Sequence, residues 1–392
     1  MFHCEEDLLQ LSKLQEEVVR STAFTKSVER YVFGKMNVFS ISDIFYNAYF
    51  PNGGDGHSSE QRRFFSPHEH PNNVRMLSEL NSRFWKMMAK TTCDTKKADI
   101  RTNVMLGTLP LGTVNALTTK TSAGNYMILI NDGVFPVVRG LVELFIKTLD
   151  SKGERLSLPS ETTVGKFLAD AEINSHFTEI MSDYFVLGSA HDTGSEELLV
   201  SGDRQRFRIS QGIVHSFMIF LLAHEYHHVF LGHLDYDDQS SANEDRDAAW
   251  SRELSCDLNA AALCCYYDAH FLSQGVTLAT LGIELLCILD EITAELSPKG
   301  RYRTHPPPPL RRSVTLGKVE QIAGRQDREI TVLVWEDLRR LIVGLWEKNK
   351  LEISQTLASA EQSRKENEVR GWVRQEVILK ALTRRKLSKV GS

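Results

Sequence analysis

The stretch Leu222-Ala223-His224-Glu225-Tyr226-His227-His228-Val229-Phe230-Leu231-Gly232-His233 constrains this chain more than any other. It contains H-E-x-x-H. Residues four apart on a helix stand one above the other, so His224 and His228 can offer two imidazoles to one cation. Glu225, one step round, can reach a water on that cation without being a ligand itself. Upstream, Ile213, Phe217 and Leu221 recur every three or four positions in line with the two histidines, with Ser210 as the expected N-cap and Gly232 as the stop. The histidines continue an apolar stripe, which places the ligand pair inside the protein. Taken alone, the motif also fits ordinary polar positions on a core helix.

A catalytic zinc takes three protein ligands and leaves one position open. The best third candidate is Glu253, in Arg252-Glu253-Leu254-Ser255-Cys256-Asp257. Glu253 and Asp257 share a helix face, so Glu253 can bind the metal while Asp257 accepts a hydrogen bond from the free ring N–H of a ligating histidine. Ala260, Ala261 and Cys264 follow, small enough to let this helix approach the first closely. The plainer alternative is an acidic pair on a solvated face. His233, past the helix stop, and Asp235 are rival third ligands, and His227 points roughly a quarter-turn away from His228.

Elsewhere the sequence excludes more than it assigns. With 42% hydrophobic residues among 392 the chain can bury a sizeable core, and a net charge of −5 argues against a dedicated nucleic-acid binder. Six scattered cysteines form no C-x-x-C pair, no secretory signal opens the chain and no apolar run reaches membrane-spanning length, so the expected setting is the cytoplasm. Residues 1 to about 50 read as helical, and His68-Glu69-His70, between prolines, as a loop feature. A helix capped by Asn73 should carry Leu77, Leu80, Phe84 and Met87 on one face. Val114–Leu117 and Tyr126–Ile130, around Ser122-Ala123-Gly124-Asn125, predict a β-hairpin. Further helices are expected at 137–149, 160–185, 248–267, 278–292 and from 326 onward, with a polar segment at 188–208 and an acidic loop after Asp235. The basic run after Arg370 reads as a solvated helix end, or as a contact for an acidic partner.

H-E-x-x-H-x-x-x-G-H followed by E-x-x-x-D resembles the gluzincin metallopeptidases, in particular the soluble cores of the CAAX-prenyl-processing and HtpX-like peptidases and the Lit-like phage-exclusion peptidases. Two further stretches carry the resemblance. Val114-Asn115-Ala116 followed by the strand Tyr126–Ile130 is similar to the group's Asn-Ala edge strand, on which a substrate peptide is laid as an added strand. That implies Asn115, Ala116, Tyr126 and Ile128 as substrate-binding positions. Thr304-His305-Pro306-Pro307, with Arg311-Arg312 beyond, is similar to its T-H-P-P…R motif, whose histidine faces the metal; His305 would then donate to the developing oxyanion, with Tyr302 as runner-up. The chain departs from the group in having Cys256 where an alanine is usual, in a long interval between strand and zinc helix, and in lacking the membrane helices of the prenyl-processing members.

The fold so implied is α+β and predominantly helical. A zincin-like core at 101–325 would carry a small sheet and an edge strand, between helical additions at 1–100 and 326–392. The function implied is that of a cytosolic zinc endopeptidase. One Zn²⁺ per chain would sit on His224, His228 and Glu253, Glu225 would be the general base, and a protein or peptide would be the substrate. The terminal additions are free for a regulatory partner. The rivals are a zinc hydrolase of non-peptide substrates and a helical interaction protein with a structural or vestigial metal site.

Overall fold

A three-stranded sheet gives the helices their floor. The computed structural model describes residues 7, 10–15, 71–91, 103–109, 114–152, 155–157, 159–182, 184, 204–235, 246–267, 277–296, 305–323 and 325–366. Strands β1 (Val104–Leu109), β2 (Ala116–Lys120) and β3 (Tyr126–Asn131) lie in the order β1-β3-β2, with β3 parallel to β1 and antiparallel to β2. The β2–β3 hairpin is the expected one, with Ala116 opposite Ile130 and Lys120 opposite Tyr126.

One sheet face, Met105, Leu109, Met127 and Leu129, is closed by Leu11 and Leu14 of the helical residues 10–15. Gly107 makes room for that contact, since a Cβ there would stand 2.9 Å from the Leu11 side chain. The other face, with Val104, Ile128, Ile130 and Ala116, joins the main core. An apolar run without alternation is what a strand buried on both faces requires, and it makes β3 the middle strand. This corrects the reading of Tyr126–Ile130 as an edge. The edge is β2.

The helices are α1 (Pro71–Thr91), α2 (Val134–Thr148), α3 (Glu161–Ala169), α4 (Ala171–Ser182), α5 (Arg204–Phe230), α6 (Arg246–Tyr267), α7 (Thr277–Leu296), α8 (Pro308–Ile322) and α9 (Arg325–Glu366). A small hairpin, β4 (Asp150–Lys152) and β5 (Arg155–Ser157), follows α2. The described residues are therefore mostly helical with a small mixed sheet, an α+β arrangement.

Helix α5 is the axis. Every residue from Ser210 to Tyr226 is buried, the polar Gln211, His215 and Ser216 included, and the helix packs on α1, α2, α6, α7 and β2. Contacts are closest where side chains are smallest. A Cβ on Gly282 of α7 would fall 2.5 Å from the backbone nitrogen of Phe217. On α6, Ala260, Ala261 and Cys264 are fully buried, and the Cys264 thiol donates to the carbonyl of Ser216 at 3.2 Å. Tyr226 meets α1, stacked on Phe84 with its hydroxyl donating to Asn81 Oδ1 at 2.8 Å.

Several boundaries differ from expectation. Ser210 lies inside α5 and is buried, because the helix begins at Arg204, where Arg206 Nη2 donates to the Leu149 carbonyl at 2.7 Å. Asn73 lies within α1 and donates instead to Asp132 Oδ1, tying that helix to the turn before α2. The stretch 160–185 holds two helices. Ser160 caps α3, and Asp170 Oδ1 accepts the amides of Glu172 and Ile173 to start α4. The readings of 16–50, of His68-Glu69-His70, of the acidic segment 236–245 and of the basic end past 366 lie outside the described residues. Among the described residues no helix is long and apolar enough to cross a membrane.

Candidate metal centre

The last turns of α5 carry His224 and His228, and Gly232 ends the helix with φ at 68°, the left-handed conformation that lets the chain leave the axis. Glu253 stands on α6, drawn close by the small residues behind it. His224 Nε2 lies 3.2 Å from His228 Nε2 and 3.4 Å from Glu253 Oε2, and His228 Nε2 lies 3.5 Å from Glu253 Oε1. Tetrahedral ligands about 2.0–2.1 Å from one zinc stand about 3.3–3.4 Å apart; the two rings and the carboxylate, which meets one ring with each oxygen, come close to that spacing, and one ligand atom from each residue lies within 4.8 Å of the others. Glu253 Oε2 is buried, and the ring nitrogens facing it, those of His224 at 3.4 Å and His305 at 3.5 Å, stand beyond good hydrogen-bond distance, the arrangement a cation would satisfy. The donor set of two imidazoles and a carboxylate suits Zn²⁺.

Asp257, one turn further along α6, reaches the other nitrogen of His224, Nδ1, at 2.9 Å. Arg311 of α8 clamps Asp257 from behind with two bonds, Nε to Oδ2 at 2.8 Å and Nη2 to Oδ1 at 2.7 Å, and its Nη1 lies 3.4 Å from Asp290. These charges set the titration of the metal-free site. Burial raises the Asp257 carboxyl, but Arg311 outweighs it and holds the group well below the usual range. Burial also raises Glu253, and the surrounding histidines, His305 foremost, bring it down strongly. Burial would lower His224; contact with Asp257 and Glu253 instead lifts it to about 10. His228, buried beside that charge, falls to about 3. Without metal the positive charge of the pair therefore sits on His224.

Glu225 is buried and turned toward the sheet. Thr118 Oγ1 of β2 donates to Glu225 Oε2 at 2.5 Å. Burial raises the Glu225 carboxyl, opposed by the charge on His224 and by the Thr118 bond. Thr118 also marks the open side of the sheet. The Asn131 amide donates to the Asn115 carbonyl, so alternation turns the main-chain groups of Ala116, Thr118 and Lys120 away from β3. Among the described residues no strand pairs with that outer side.

Of the other expected site residues, His305 Nε2 lies 3.5 Å from Glu253 Oε2 with its side chain 46% exposed, so it stands at the rim of the cluster. Asn115 accepts the Ala116 amide on its own side chain at the start of β2. Tyr126 and Ile128 are on the middle strand, and Ile128 is fully buried in the core, so neither borders the open edge. The apolar run that made Tyr126–Ile130 conspicuous is the property that hides it. His227 contacts the carbonyl of Ala223 on its own helix through Nδ1 and takes no part in the cluster. His233 faces His228 rather than Glu253, and the side chain of Asp235, like all of Tyr302, lies outside the described residues.

Comparison of the chain with protein-family models, with curated proteins and with solved structures found no match. Sequence reasoning missed Thr118 and the clamp by Arg311. The arginine was visible in the run after His305, whereas nothing near Thr118 in the chain points to a carboxylate 107 positions away.

Proposed function

We propose that the chain is a zinc-dependent endopeptidase of the cytosol, acting on a protein or peptide substrate. The observation that carries this reading is the position of Glu225, buried between the three-ligand cluster and a strand whose outer edge pairs with no other strand among the described residues. Bound at His224, His228 and Glu253, Zn²⁺ would supply Lewis acidity and bring the pKa of water to about 7.

The remaining work belongs to the side chains. An extended peptide adds to β2, where the main-chain N–H and C=O of Thr118 face outward one residue's width from the base. Glu225 takes the proton of the attacking water and returns it to the leaving amine. Thr118 fixes the Glu225 carboxylate by donating to Oε2, leaving Oε1 for the water. His305, at the rim, donates to the developing oxyanion. Asp257, held ionised by Arg311, fixes the tautomer of His224. The resemblance to gluzincin peptidases supports the same roles.

The middle position of β3, where an open peptide-laying edge was expected, favours a zinc hydrolase of a non-peptide substrate. A further reading has one observation in its favour. His305 stands 3.5 Å from Glu253, outside the three-residue group, and were it to move onto the ion the four protein ligands would make a closed, structural site. Glu225→Gln separates the peptidase from these. The peptidase reading expects metal content equal to the wild type and cleavage down by about a hundredfold or more, read as new N-termini in cells expressing either protein. Identical N-terminal profiles for the two proteins would sink it.

A further inference from the structure

Both ring nitrogens of His228 have partners. Nε2 belongs to the cluster with His224 and Glu253, while Nδ1 lies 3.2 Å from Nδ1 of His233. A neutral imidazole that gives Nε2 to a cation carries its proton on Nδ1. His228 is then the donor, and His233 Nδ1 must be the acceptor. The buried thiol of Cys256 approaches that same His233 nitrogen at 3.6 Å, as a second, weak donor. Gly232 makes the arrangement reachable: a continued helix would carry residue 233 away from His228, whereas the left-handed turn brings it back.

We propose that His233, backed by Cys256, is the positioning residue for His228, as Asp257 backed by Arg311 is for His224. The inference rests on the three-ligand metal reading and is indifferent to the peptidase chemistry. The two supports differ in charge. Asp257 is an anion neutralised by Arg311, while His233 is a neutral ring, so neither adds net negative charge and the cation keeps its electrophilicity.

The trio His228, His233 and Cys256 also has atoms close enough to hold a cation of its own. Two features favour the hydrogen-bonded role. His228 cannot give both nitrogens to metals without becoming an imidazolate, and burial with the carboxylates of Glu253, Glu225 and Asp257 pushes the Cys256 thiol to stay protonated.

Zinc dissociation constants of the wild type, His233→Ala and His233→Asn, measured by competition with a chromophoric chelator, test the assignment. Removing the acceptor should weaken zinc binding by about tenfold to a hundredfold in His233→Ala. The Asn carbonyl oxygen should recover part of that, and the melting temperature of the zinc-free proteins should not change. Equal affinity in the wild type and His233→Ala overturns the positioning role while leaving the three ligands in place; failure of the wild type to bind zinc overturns both. Equal losses in the two variants, or lower melting temperatures of both without zinc, reduce His233 to a packing residue. A second equivalent of Cd²⁺ with a thiolate-to-cadmium ultraviolet band, absent in Cys256→Ser, would make the trio a cation site instead.

Discussion

Arg311 and Asp257 meet in the interior, each satisfied chiefly by the other. Breaking a buried pair from one side costs about 3–5 kcal/mol, because the partner charge is left stranded. Arg311→Met is therefore expected to destabilise the protein by roughly that amount in chemical denaturation, and Asp257→Asn combined with it by less than the two changes singly. The metal-free site should also respond to pH at both ends. Asp257, depressed in the fold, contributes stability above its ordinary value of 3.8 and loses it as pH falls from there. His224, raised to about 10, contributes fully below its ordinary 6.5 and loses that contribution as pH climbs through 10. At neutral pH a zinc ion must displace the His224 proton. Calorimetry in buffers of different ionisation enthalpy is expected to show about one proton released per zinc, with affinity falling on acidification. Zinc binding with no proton release would contradict this electrostatic picture.

At the level of elements, α5 and α7 touch backbone to backbone at Gly282, and no rotamer change can relieve a methyl 2.5 Å from the Phe217 nitrogen. Gly282→Ala should cost about 3 kcal/mol or more by forcing the helices apart. Gly317, on α8, is the control: a Cβ there meets nothing within 4 Å, and Gly317→Ala should gain about 0.5–1 kcal/mol. Denaturant midpoints of the two variants would check both signs. The axis helix was legible in the sequence because its histidines continue a 3.6-residue stripe, and α6 because small residues follow an acidic pair. Strand β1 was not, since its partner β3 comes after β2 in the chain and parallel pairing leaves no local signature. The expected strand stopped at Leu117, short of Thr118-Thr119-Lys120, because the strand is polar where it meets Glu225.

Across the whole molecule, one apolar cluster runs from Phe84 on α1 through Phe217 on α5 to Trp346 on α9. The helices that bear the ligands are held by that core, so the site exists before the ion arrives. Stripping zinc with a chelator should lower the melting temperature but leave far-ultraviolet circular dichroism unchanged at 25 °C; an ion present at a hundred times its dissociation constant adds only about 2.7 kcal/mol. Collapse of the helical signal would instead mark a fold that the metal builds. Adjacent arginines on α8 give this core one further property. Arg311 grips Asp257, while Arg312 grips Glu284, a fully buried carboxylate shared with Arg339 of α9. Helix α9 and the carboxylate beside His224 are thus held by adjacent residues of α8.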